Sequence, residues 1–176
     1  AAVIDLLDEN EQPTGVRLGE AAHTPNPGIE VDNFPNSLAQ ISLLMPDGST
    51  VPVTLSGPTT VHVFIPPTGE ASDTDADGRD QVQAEIVAMT LTGSSPLGPV
   101  TVRVRDVSKH PFPRSMGEIE ELVNSTPGVL DVPPFRPVGI ADSFFDVFFE
   151  IEVGGVIFHN DTAKRMQTII THKPPA

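Results

Sequence analysis

The sequence predicts a mainly β protein, a β-sandwich of about eight to ten strands with one short helix near residues 115–124. Three observations carry this. Short apolar runs with period-two alternation recur along the chain. Turn residues punctuate them, with 19 prolines and 14 glycines in 176 residues. Only "SMGEIEELVN" carries a helical pattern with a helix-start signal.

The elements follow in order. Ala2–Leu7 contains one apolar segment, Val3 to Leu7, read as a strand or a short helix. A long loop isolates it from the next strand, so as a strand it is a candidate to pair with the sheet edge of a neighbouring subunit. Residues 19–37, rich in Pro, Asn and Gly, read as loop. Leu38–Met45 and Thr50–Leu55 are strand-length runs around Pro46-Asp47-Gly48, the clearest hairpin signal in the chain. Val61, Val63 and Ile65 alternate with His62 and Phe64 before Pro66-Pro67 ends that strand. "VQAEIVAMTLTG" reads as strand. In "GPVTVRVRDV", Val100, Val102 and Val104 point inward and Thr101, Arg103 and Arg105 outward. The segments 54–63 and 90–104 echo each other, both reading as strand, turn, strand.

For the helix, Ser115 and Glu118 form a capping box, and Ile119, Leu122 and Val123 form one apolar face ended by Pro127-Gly128. "SFFDVFFEIEV" holds four of the nine phenylalanines and reads as one central strand. Gly154-Gly155 is a two-residue hairpin turn, and "VIFHN" and "RMQTIITH" complete the set. Residues 1–173 read as one module, with a subdivision point near 107–115. Residues 174–176 in "KPPA" read as the start of a proline-rich linker. The chain opens at Ala1 rather than methionine, as a processed or excised product does.

Composition removes several function classes. The net charge of −14 argues against nucleic acid and anionic membrane surfaces as partners. No apolar run is long enough to insert in a bilayer as a helix. Without cysteine there is no thiol nucleophile and no thiolate zinc site. The five histidines lack helical zinc spacing, and His62, mid-strand beside Phe64, reads as a packed or rim residue. No nucleophile elbow, phosphate-cradling loop or dinucleotide fingerprint occurs. Trp and Tyr are absent, which weakens an aromatic sugar platform. Two glycosylation sequons begin at Asn124 and Asn160.

The informative stretch is "ASDTDADGRDQVQAEIV", residues 71–87. Carboxylates this close repel unless a cation compensates them or the loop stays open in water. Calcium takes six to eight oxygens at about 2.3–2.6 Å in flexible geometry. Asp73, Asp75 and Asp77 at alternate positions can aim into one loop, and Gly78 allows the bend. The Arg79 carbonyl is the natural next ligand, and Asp80 and Glu85 are candidates for the remaining positions. The competing reading is a solvated acidic loop.

The segment resembles the D-x-D-x-D-G calcium loop shared by EF-hands, dockerins and thrombospondin type 3 repeats. It departs from the EF-hand pattern: Ala84 stands where the bidentate glutamate falls, Glu85 comes one step late, and no helix enters or leaves. More broadly, "DTDADGRDQVQAEIVAMTLTG" and "DSFFDVFFEIEV" are similar to segments of large secreted bacterial proteins built from β-rich modules. That resemblance implies an extracellular structural or adhesive role, as part of a filament or surface layer, with self-association or neighbouring modules as partners. The alternative expectation is a carbohydrate-binding or glycan-processing β-sandwich.

Overall fold

The structure is a computed structural model that describes residues 4–7, 13–18, 22–24, 28–45, 47–66, 71–106, 108 and 113–175, the first three segments as backbone only. Twelve strands are assigned: β1 (Ile4–Leu7), β2 (Pro13–Leu18), β3 (Ala22–Thr24), β4 (Ile29–Leu44), β5 (Thr50–Phe64), β6 (Gln81–Ser95), β7 (Gly98–Val104), β8 (Met116–Glu121), β9 (Ala141–Val147), β10 (Phe149–Val153), β11 (Val156–His159) and β12 (Lys164–Ile170). All pairings are antiparallel. They join into one sheet in the order β11-β10-β7-β6-β5-β4-β2-β1-β12-β9-β8, with β3 beside β4 and β8 returning to β6. The separate sheets of a sandwich are therefore not distinguished. The path closes on itself because β6 is long enough to serve two partners on one edge. Its first half pairs β8 and its second half pairs β7.

Alternation explains most of this. On β5, Val53, Leu55, Val61 and Val63 are buried, and on β6 Ala84, Ile86 and Leu91 meet them. The hairpin after β4 forms as predicted. Met45 N–H donates to Ser49 O (2.8 Å), and Gly48 takes φ +84°. Gly154 and Gly155 turn β10 into β11 with φ of +57° and +83°, the values a type I′ turn needs.

Several expectations are corrected. No helix occurs among the described residues, and 116–121 is strand β8. Ser115 does not cap. Its hydroxyl donates to Phe148 O and accepts from Phe148 N. Along β8, Gly117, Ile119 and Glu121 are buried in alternation. The helical pattern misled because a glycine and a glutamate hold two of the inward positions. Residues 29–37 are strand, not loop, because Glu30, Asp32 and Phe34 face inward, and two acids mask the alternation. Ser56-Gly57-Pro58 is not a turn. β5 runs straight through it, with Gly57 at φ +157° against Thr90 O, where a Cβ would come within 2.1 Å. Arg105 is buried rather than outward.

The phenylalanine-rich segment divides at Phe148 into β9 and β10, which pair with different strands. Side chains satisfy the corner. Asn160 accepts from Phe149 N (2.7 Å) and donates to Val147 O (2.9 Å) and Thr162 O (2.8 Å). The Asn160 amide is thus a structural clamp, and a glycan on that nitrogen would break it. β1 hydrogen-bonds to β2 and β12 of its own chain, and residues 1–3 lie outside the described segments. Lys173, Pro174 and Pro175 are buried against the body of the fold.

Between β9 and β12, Arg165 clamps Asp146 through Nε (2.9 Å) and Nη2 (2.6 Å) and stacks 4.1 Å over Phe144. The hydrogen bonds from Arg165 hold the Asp146 carboxyl below its ordinary value. With both side chains more than a third exposed (41% and 34%), solvent screening keeps the pair to about 1 kcal/mol or less. A lowered folded pKa means stability present above the unfolded carboxylate value and lost as pH falls through the folded one. Asp146→Asn is expected to lower stability slightly at neutral pH and to match the parent in acid, as read from urea midpoints.

Candidate functional site

The aspartate loop is built on a closed base. Ser72 and Gln81 exchange two backbone hydrogen bonds (3.2 Å each), pinching the chain just before β6 begins. Ala71 N–H adds a bond to Gly128 O (3.2 Å). Within the pinch, Asp73 folds the loop around itself. Its Oδ1 accepts from Asp77 N (3.2 Å) and its Oδ2 from Gly78 N (3.0 Å). Gly78 at φ +93° supplies the predicted bend, and Ala76 takes φ +63°, a conformation that costs a non-glycine residue about 1–2 kcal/mol.

As a result, one oxygen from each of Asp73, Asp75 and Asp77 lies within 4.8 Å of the others on the exposed surface. Such a group could bind a metal ion. Asp77 already has a cation partner. Arg79 N–H donates to Asp77 Oδ1 (2.9 Å), and its guanidinium donates to Oδ2 through Nε (2.9 Å) and Nη2. Those hydrogen bonds hold the Asp77 carboxyl below its ordinary value. Nη1 of Arg79 reaches Glu120 Oε1 at 2.6 Å. Burial pushes Glu120 upward, Arg79 opposes this, and the negative field of Asp77 and Asp75 adds to the rise.

The other predicted ligands are placed elsewhere. With its amide oriented to satisfy both ends, buried Gln81 donates to Arg79 O and Ser72 O (2.9 Å each) and accepts from Thr74 Oγ1 (2.6 Å). The Arg79 carbonyl is therefore engaged by the loop floor. Asp80 is buried, and its carboxylate accepts from Gly128 N (2.5 Å) and from Asn124 Nδ2 (3.4 Å). Glu85 lies on β6 opposite His62 and pairs with Arg114 at 3.2 Å. Neither joins the aspartate group.

Sequence reasoning missed what holds the loop in place. Glu121 has no exposed surface, and its two oxygens accept from Asp80 N (3.0 Å) and Asp131 N (2.7 Å). Asp131 in turn accepts from Ser125 N and Thr126 N (2.8 Å). Three buried carboxylates, Asp80, Glu121 and Asp131, thus supply acceptors to residues 122–139, which have no ladder of their own. Asn124 also donates to Gly78 O (3.2 Å), so this other sequon asparagine is likewise structural. The available signal was an inward glutamate in a strand followed by a helix-free, proline-rich loop.

A second feature is a cleft of about 490 Å³ whose lining includes His62, Glu85, Arg103, Arg105, Arg114 and Ser115. Arg103 pairs with Glu152 at 3.1 Å. The His62 ring sits at this rim and is not enclosed in the core. Comparison of the chain with protein-family models, curated proteins and solved structures finds no match.

Proposed function

We propose that the chain is a non-catalytic extracellular structural or adhesive module, a building block of a filament or surface layer, whose aspartate loop takes calcium. One observation carries the calcium reading: Asp73, Asp75 and Asp77 converge within 4.8 Å in a loop already wrapped around the Asp73 carboxylate. All-oxygen donors suit a hard cation, and calcium tolerates the irregular geometry better than magnesium does. Asp75, which makes no hydrogen bond among the described residues, is the carboxylate with most to gain from a cation. The donor set is short, because Asp80 and Glu85 are committed elsewhere and the Arg79 carbonyl is shared with Gln81. Water must complete the shell, and Arg79 competes for Asp77. Both effects place affinity at the weak, extracellular end, about 10⁻⁴–10⁻³ M.

At calcium ten times its dissociation constant, linkage adds about 1.4 kcal/mol. For a chain of this size that is a rise in melting temperature of roughly 3–6 °C. Chelator is expected to remove the rise, and Asp75→Ala to make the two melts coincide. Identical melts for the parent chain with calcium and with chelator would count against a stabilising site.

The structural role draws support from edge strand β11, where Val156, Ile157 and Phe158 are all exposed and the outer edge has no partner strand among the described residues. Bare apolar edges favour association with further copies or modules. The carbohydrate reading is favoured by the cleft, where three guanidinium groups suit a carboxylated or sulfated sugar. Acids paired with all three, Glu152 with Arg103, Asp161 with Arg105 and Glu85 with Arg114, dilute that charge, so this reading stands second. An array of acidic and neutral glycans separates the two.

A further inference from the structure

The least expected side chain in the protein is Lys173. It has no exposed surface, yet it carries an amine into the body of the fold. Its Nζ donates to Glu30 Oε2 and lies 3.6 Å from Asp32 Oδ2. Both acids are buried, at 7% and 2% exposure, two residues apart on one face of β4. Apolar groups flank them on the β5 side and beside the amine. Buried Val63 and Val61 stand opposite Glu30 and Asp32 on β5, and the Phe135 ring lies 5.5 Å from Nζ. The amine is held in position from behind, because Lys173 N–H donates to Pro133 O (2.6 Å).

We propose that Lys173 and Asp32 join in an intramolecular amide cross-link, with Glu30 as the proton acceptor. Fixing an amine against a carboxyl in a dry site supplies the proximity that a condensation needs. Excluding water favours losing a water molecule and protects the product from hydrolysis. Burying ions as a pair is costly even when they are matched, and condensation removes one cation and one ionisable acid from the interior.

The step balances without a co-reactant. Glu30 takes one proton from the Lys173 ammonium. The freed lone pair attacks Cγ of Asp32, which enters as the carboxylic acid. The tetrahedral intermediate expels the Asp32 hydroxyl, which leaves as water with a second proton from nitrogen. The third proton stays on the amide nitrogen. One C–N bond replaces one C–O bond, and nothing is oxidised or reduced. The product ties the tail after β12 to β4, so pulling on that tail could not peel it away. This inference does not depend on the aspartate loop or its metal.

The test is the intact mass of the folded, incubated parent chain under denaturing conditions. The expected mass is lower than the sequence mass by one water, and fragmentation should give a branched peptide joining Lys173 to Asp32. Lys173→Arg and Glu30→Gln should both run at their full sequence masses. A parent chain at full sequence mass would overturn the proposal, and that reading needs no variant to fold. So would a water loss mapped to cyclised Asp47-Gly48 or Asp77-Gly78, or a branch at Glu30. A Glu30→Gln chain that still forms the link would remove Glu30 from the step.

Discussion

Glu121→Ala is expected to destabilise the protein by about 3–5 kcal/mol, the cost of breaking a buried charged hydrogen-bonding group. Glu121 lies at the end of β8 with no exposed surface and is the acceptor for the backbone of both Asp80 and Asp131. Alanine leaves those two N–H groups without an acceptor and removes one of the links between the aspartate loop and residues 122–139, the contacts of Asp80 with Gly128 and of Asn124 with Gly78 remaining. Desolvation raises the Glu121 pKa, opposed by the two backbone hydrogen bonds and reinforced by the negative field of Asp131 and Asp80. The sign follows. A carboxyl with a raised folded pKa binds its proton more tightly in the native state, so its contribution is greatest in acid. It declines as pH rises from the ordinary glutamate value through the raised one. Glu121→Gln should flatten that decline and, retaining one oxygen acceptor, should cost less than alanine. Urea unfolding across this pH range measures both effects.

Gly117→Ala is expected to cost about 3 kcal/mol or more, at or beyond the upper end for overpacking. Gly117 is the second residue of β8, with Ala84 of β6 on one side and Phe145 of β9 on the other. A Cβ there would come within 2.2 Å of Phe144 O and 2.4 Å of Phe145 Cδ1. The carbonyl belongs to the neighbouring strand and cannot swing aside, so the β8–β9 pairing must open. Gly128→Ala is the control. Its Cβ would meet nothing within 4 Å, but its φ of +86° still disfavours an L residue. That substitution should cost only about 1–2 kcal/mol. Equal costs at the two positions would show that the close approach at Gly117 does not constrain the fold.

Where local chemistry decides an element, it was legible in the sequence. The glycine turns at Gly48 and Gly154-Gly155, and the inward Val61, Val63, Val100 and Val102, are found where alternation and turn chemistry put them. Strands whose inward positions carry the wrong residue type were not legible. Glu121 and Gly117 disguise β8 as a helix, and Glu30 and Asp32 disguise the start of β4 as loop. These inward acids are tolerated because distant segments answer them, Asp131 N–H for Glu121 and Lys173 for Glu30. No window of neighbouring residues contains that information.

The candidate site divides the same way. Asp73, Asp75 and Asp77 converge through contacts within six residues, so spacing alone located them. Asp80 looked like a fourth ligand by proximity in sequence. Its role was decided by Gly128 and Asn124, more than forty positions away.

Backbone amide NMR of the intact chain during a calcium titration tests most directly for a cation at the aspartate loop. The Asp77 and Gly78 amides, which donate to Asp73, are expected to shift together and saturate at about 10⁻⁴–10⁻³ M calcium, with a much weaker response to magnesium. Amides in this loop that stay still while calcium rises well past that range, or small shifts spread evenly over the acidic surface, would contradict it.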